Sequence, residues 1–208
     1  MTLKRSIAVL GIAAAIGTVA AAAVFAASPP PSKGDDIVSS YGALARGRTS
    51  NDALPAAISR GIAAMNAQPP AVDDSLYEGS ELGAESRLLL RGVGHNRLDI
   101  YAYPTSKGRV CFTTSRGGGG CVDREHQFTW GAFVPGASSP DQTLQLIGLV
   151  PNDVTSVTVV RDGKAAAATV ANNAFFWESP YLGTTPEKLI VGHRDGRADT
   201  VAIPTLAP

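Results

Sequence analysis

Past residue 86, apolar and polar positions alternate in short runs separated by glycine, proline, asparagine or aspartate. RLLLRGV, RLDIYAY, RVCFTT, TLQLIGLV, VTSVTVVR, KAAAATVA, NAFFWE, EKLIVGH and ADTVAIP are each rich in β-branched or aromatic residues, the signature of strands. Asp162-Gly163 and Asp195-Gly196 fall between such runs. An Asp-Gly pair marks a two-residue hairpin, because both positions accept positive φ. Strands joined by hairpins, without helical segments between them, predict a mainly β fold: an antiparallel sandwich or open barrel. The sequence carries no internal repeat of the kind a propeller or solenoid needs.

One amphipathic helix is predicted over 53–67. Leu54, Ile58, Ile62 and Met65 recur every three or four residues, and that stripe needs a surface to cover. Ser50, Asn51 and Asp52 supply capping oxygens, Pro55 suits the first turn, and Gln68-Pro69-Pro70 stops the helix. Upstream, residues 28–49 read as a flexible tether. The stretch to Asp36 has nothing to bury, and 37–50 hold a few apolar side chains without a clean period. The β-rich domain is therefore placed at 50–208.

The first 27 residues follow another pattern. Lys4 and Arg5 precede SIAVLGIAAAIGTVAAAAVFAA, and SPPPSKGDD then turns polar. A basic head, an apolar body and small residues before the exit describe an export leader, predicted as an N-terminal signal or anchor helix. Val24-Phe25-Ala26 and Phe25-Ala26-Ala27 both offer cleavage sites, whereas about 20 apolar residues are also enough to span a bilayer. Pro29-Pro30-Pro31 ends any helix. Both readings, cleaved signal peptide and retained anchor, place the body outside the cytoplasm. Membrane contact is expected only through residues 6–27 of an uncleaved chain.

The two cysteines fit an exported chain. Cys111 and Cys121 flank FTTSRGGGG, and such a pair reads as a disulfide. The spacing is not C-x-x-C, which argues against zinc or a redox dithiol. Charge excludes another class of function. Lys plus Arg and Asp plus Glu number 18 each, and loss of Lys4 and Arg5 leaves 16 against 18. With no basic stripe, nucleic acid is not an expected partner.

Candidate chemistry is sparse. Asp73, Asp74, Glu78, Glu81 and Glu85 form an acidic patch without the alternating ligand loop of a calcium site. H-E-x-x-H and G-x-S-x-G are absent, and the glycine run lacks the Gly-Lys-Ser/Thr of a phosphate loop. His95, His126 and His193 stand far apart, and nothing in their spacing gathers them into a metal site; no cofactor is expected. In Asp123-Arg124-Glu125-His126 an imidazole sits beside carboxylates that could orient a general base. An extended strand would instead send Asp123 and Glu125 to one face and His126 to the other. Aromatic residues concentrate at Trp130 and Phe133 and again at Phe175, Phe176, Trp177 and Tyr181. Alternation in NAFFWESPY puts Phe175 and Trp177 on one side and Phe176 on the other, so at least one side belongs to the core. Trp130, Trp177 and Tyr181 are the candidate ligand-binding residues, as an exposed stacking surface.

The leader, the DALP start at Asp52–Pro55, LDIYAYPTSKGRVCFTT running into GGGGC, and GLVPNDVTSVTVVRDGKAAAATVANNAFF together resemble a group of uncharacterised exported proteins from high-GC bacteria. The resemblance spans residues 50–177 and implies export and a β body, with no activity attached. The expectation is an exported, non-catalytic binding or structural module of the cell envelope, its partner an unknown envelope component or protein. The alternatives are a membrane-anchored sensing or regulatory ectodomain and an extracellular hydrolase using His126.

Overall fold

The computed structural model describes residues 9–10, 23–27, 37–66, 85–105, 108–123, 126–133, 142–181 and 184–204. Of the leader only two short strands are described, β1 (Val9–Leu10) and β2 (Ala23–Ala27). The expected leader helix otherwise lies outside the described residues, as do Asp73, Asp74, Glu78 and Glu81 of the acidic patch. No helix among the described residues is long and apolar enough to cross a membrane.

The predicted strands are present: β3 (Arg87–Val93), β4 (Leu98–Pro104), β5 (Val110–Thr114), β8 (Thr143–Leu149), β9 (Val154–Arg161), β12 (Ala174–Pro180), β13 (Lys188–His193) and β14 (Ala198–Ala202). Two more, β6 (Gly119–Val122) and β7 (Thr129–Phe133), were not predicted. The run KAAAATVA forms two strands, β10 (Lys164–Ala167) and β11 (Thr169–Ala171). Asp162 and Gly163 both have positive φ, as the β9–β10 turn requires, and Asn172 and Asn173 turn β11 into β12 in the same way.

The strands form three antiparallel sheets, β3-β4-β5-β6, β1-β2-β7-β8-β12-β11 and β10-β9-β13-β14, with no closed barrel among the described residues. The seven-residue β8–β12 pairing makes the second sheet the central layer. Ile147, Leu149, Ala174 and Phe176 pack on the first sheet, against Leu90, Ile100, Val110 and Phe112. Leu144, Leu146, Phe175 and Trp177 pack on the third, against Val157, Val159, Leu189 and Val191. Strand alternation sends neighbouring side chains to opposite faces, so a sheet covered on both sides shows a continuous apolar run. Phe175, Phe176 and Trp177 are all buried for that reason. The β9-to-β12 ribbon changes sheet at Ala168, whose N–H donates to the Val157 carbonyl.

Two helices flank the first sheet. α1 (Gly42–Ala45) follows a 3-10 turn at Ile37–Ser40, and α2 (Ala56–Asn66) lies inside the predicted 53–67. Leu54, Ile58 and Ile62 of the α2 stripe cover Tyr103, Cys111 and Cys121. Residues 37–49 are not part of a tether. Ile37, Tyr41 and Leu44 are buried in the core between the first two sheets, so the folded domain begins at least 13 residues before the expected boundary at 50.

Candidate functional site

Cys111 and Cys121 sit directly opposite each other on β5 and β6 and are disulfide-bonded. The glycine run shapes this hairpin. Gly117 and Gly118 have positive φ, and a Cβ at Gly119 would meet the Phe112 carbonyl oxygen at 2.0 Å. The loop therefore supports the disulfide hairpin and uses glycine for close backbone approach.

The expected stacking surface is corrected by burial. Trp130 is fully buried and Trp177 is 8% exposed; both lie between the central and third sheets. Phe128 and Phe175 stack beside them, with ring centroids 5.7 Å apart. Tyr181 packs half-buried against the same core, and its N–H donates to the Gln142 carbonyl. The Trp130 Nε1 has no hydrogen-bond partner among the described residues. These rings fill the interior because the sheet that carries them is covered on both faces.

Asp52, expected as a cap of α2, serves elsewhere. Its buried carboxylate accepts bonds from Arg46 Nη1 and Nη2, at 2.8 and 2.5 Å. It also accepts from the Thr49 N–H, the Thr49 hydroxyl and the Leu88 N–H. Arg46, followed by the other donors, holds its pKa well below the usual carboxylate range against the cost of burial. This arrangement fastens the N-terminal segment to β3. It is structural.

The polar chemistry gathers at one end of the molecule, where the turn after β8 meets the β13–β14 hairpin and the residues before β7. Gln127, Phe128, Pro151, Asp153, His193 and Arg197 line a small cleft of about 60 Å³ there. His193 Nδ1 lies 2.9 Å from Asp153 Oδ2, and its Nε2 lies 3.0 Å from Asp199 Oδ2. The two carboxylates flank the ring from opposite sides, so they do not converge on a point where an ion could sit. No group of three or more metal-ligating side chains exists among the described residues.

His126, next to Gln127 in the chain, is the sequence candidate for a general base. Its Nδ1 lies 3.1 Å from Asp123 Oδ1, and the same oxygen accepts the His126 N–H at 2.9 Å. The expected divergence of the two side chains does not occur, because β6 ends at Val122 and the His126 N–H reaches back to Asp123. Glu125 lies outside the described residues. Tyr41 links this segment to the core, its buried hydroxyl donating to the Gln127 carbonyl. Burial, then the nearby charges of Asp123 and Asp153, raises the phenol pKa far above its ordinary value. His95 stands apart on the β3–β4 turn, where its N–H donates to Glu178 Oε1.

Sequence reasoning missed Asp153, Arg197 and Asp199. The partners of His193 lie 40 and 6 residues away, one just before β9 and one on β14, the two strands that pair with β13. Comparison with protein-family models, curated proteins and solved structures returned no match to this chain.

Proposed function

We propose that this chain is an exported, non-catalytic binding or structural module of the cell envelope. The observation that carries the reading is the Cys111–Cys121 disulfide, paired across two strands under α2. Disulfides persist in oxidising compartments outside the cytoplasm, and the leader-like pattern of residues 1–27 agrees with that destination. With the aromatic residues in the interior, the cleft around Asp153, His193 and Arg197, charged groups set on an apolar floor of Phe128, Val154 and Val191, is the surface this reading offers a partner. The resemblance to exported proteins of high-GC bacteria supports the same reading.

Intact mass of the chain isolated from its native cells, with thiol alkylation before and after reduction, is the test. A species outside the cytoplasm whose cysteines alkylate only after reduction supports export. A cytoplasmic species with free thiols overturns it. A full-length membrane-bound species selects the anchored regulatory ectodomain, and a start near Ser28 selects the released form.

The Asp123–His126 contact favours one second reading, an extracellular hydrolase with His126 as general base and Asp123 fixing its tautomer. Hydrolysis of a chromogenic ester panel that His126→Ala abolishes and His126→Gln does not restore would support it. Activity retained by His126→Ala would remove His126 from the chemistry.

A further inference from the structure

His193 ends β13 with its side chain 8% exposed, set between two carboxylates from different elements. Asp153 in the turn after β8 reaches Nδ1, and Asp199 on β14 reaches Nε2. Arg197 is the third member. Its Nη2 lies 3.2 Å from His193 Nδ1 and 3.9 Å from Asp153 Oδ2, and its Nη1 lies 2.5 Å from Asp199 Oδ2. Of the remaining charged groups of the hairpin, Arg194 donates to the Asn152 carbonyl, and Asp195 accepts the Arg197 N–H and lies 4.0 Å from Arg197 Nε, a third carboxylate facing the guanidinium. From the segment before β7, Gln127 and Phe128 face the cleft without charge, while Asp123 and His126 pair with each other.

The hydrogen-bond inventory of this group admits one protonated arrangement and two neutral ones. Hydrogen on Nδ1 alone would keep the Asp153 donor and leave Asp199 to Arg197 Nη1, whereas the Nη2 approach to Nδ1 favours hydrogen on Nε2. Carboxylates only accept, guanidinium only donates, and imidazole does either. When both ring nitrogens carry hydrogen, Asp153 and Asp199 each receive a donor, and Nδ1 cannot accept from Arg197. When only Nε2 carries hydrogen, Asp199 keeps its donor and Nδ1 accepts from Arg197 Nη2. Asp153 then loses its ring donor, and Arg197 is the cation already within ion-pair distance of it.

We propose that His193 is a pH-operated partner switch, which bridges Asp153 and Asp199 when protonated and hands Asp153 over to Arg197 when deprotonated. Histidine is the side chain whose charge ordinarily changes between about pH 5 and 8. The turn it controls has a second attachment. The Asn152 side chain accepts the Gly42 N–H at 2.7 Å and donates to the Ser39 carbonyl at 3.0 Å, and its own N–H donates to the Ser40 carbonyl. A change at Asp153 is thereby passed to Ser39, Ser40 and Gly42, in the segment that leads into α1. The Arg194 N–H holds the Asp153 carbonyl at 2.7 Å in both arrangements, so the turn loosens without leaving.

The test is nitrogen NMR of the His193 ring together with amide hydrogen exchange of the labelled protein at about pH 5 and about pH 8. At the lower pH both ring nitrogens are expected to carry hydrogen. At the higher pH Nδ1 is expected bare, with the Gly42 and Asn152 amides exchanging about 2- to 5-fold faster than the intrinsic pH effect accounts for, the size of a partly exposed ion pair. His193→Gln removes that excess. Arg197→Gln, at a half-exposed side chain, leaves the low-pH pattern intact and enlarges the excess at high pH. A hydrogen kept on Nδ1 at the higher pH, or wild-type exchange in Arg197→Gln, overturns the switch. Both of those readouts decide the matter even where His193→Gln does not fold.

Discussion

Phe176 and Trp177 are neighbours in the chain and belong to different cores. Phe176 packs on the first sheet with Ile100 and Phe112, and Trp177 packs on the third with Leu189 and Val191. One peptide unit of β12 thus joins two hydrophobic layers. Truncating either ring leaves a void that a sheet fixed by seven paired residues cannot collapse to fill. Phe176→Ala and Trp177→Ala are each expected to cost about 3–5 kcal/mol in urea unfolding. A stacking surface would behave otherwise: Trp177→Ala would then keep wild-type stability and lose only a ligand.

Asp52 makes stability depend on acidity. Its native pKa is depressed, first by Arg46 and then by the Leu88 and Thr49 donors. The unfolded carboxyl titrates near about 3.9. The contribution is therefore fully present above that value and is lost as pH falls below it toward the native pKa. Asp52→Asn removes the charge while keeping one acceptor for the Leu88 N–H. The expected loss is about 2 kcal/mol at neutral pH. The difference between variant and wild type should shrink on moving to about pH 2, below the unfolded titration. Urea midpoints at the two pH values check both statements, and a gap that widens in acid contradicts the assignment.

The disulfide and α2 stabilise each other. Ile58 and Ile62 lie on the Cys111–Cys121 side of the first sheet, and the sulfurs form part of the floor under the helix. In the chain-entropy model a loop of this length contributes about 2–3 kcal/mol. Cys111→Ala with Cys121→Ala should lower stability by that amount and expose α2 to limited proteolysis before the rest of the domain. Cleavage sites unchanged by the double substitution would show that the helix docks without help from the sulfurs.

What was legible in the sequence follows from which interactions are local. The Asp162-Gly163 hairpin and the period-two runs depend on near neighbours, and they appear where expected. α2 is amphipathic over a local stripe and was found with its boundaries shortened. The division of KAAAATVA at Ala168 was hidden, because a uniform run of small residues carries no mark of where a strand changes sheet. β6 was masked by its own glycines, which serve a close approach to Phe112 that only the paired strand reveals. Ile37, Tyr41 and Leu44 were too few to show a period, and their burial depends on distant donors and acceptors such as Asn152, Asn173 and Gln127. The carboxylates around His193 come from one turn and an edge strand, and no spacing rule joins them.

Two glycine substitutions are expected to act in opposite directions. Gly148 on β8 stands opposite Trp130 on one side and Phe175 on the other. A Cβ there would come within 2.1 Å of the Thr129 carbonyl oxygen and 2.5 Å of Phe175 Cε1. The first contact is backbone in the neighbouring strand, so relief requires β7 and β8 to separate in the central sheet. Gly148→Ala should therefore cost about 3 kcal/mol or more, as overpacking of a closed core does. Gly61 lies in the exposed interior of α2, and a Cβ there meets nothing within 4 Å. Alanine at that site reduces the freedom of the unfolded chain without straining the helix. Gly61→Ala should stabilise by about 0.5–1 kcal/mol and raise the melting midpoint by about 1–4 °C. Melting of both variants beside wild type checks the pair. Tolerance at Gly148 would mean that the central sheet is looser than its register implies, because no rotation of Phe175 moves the Thr129 carbonyl out of the way.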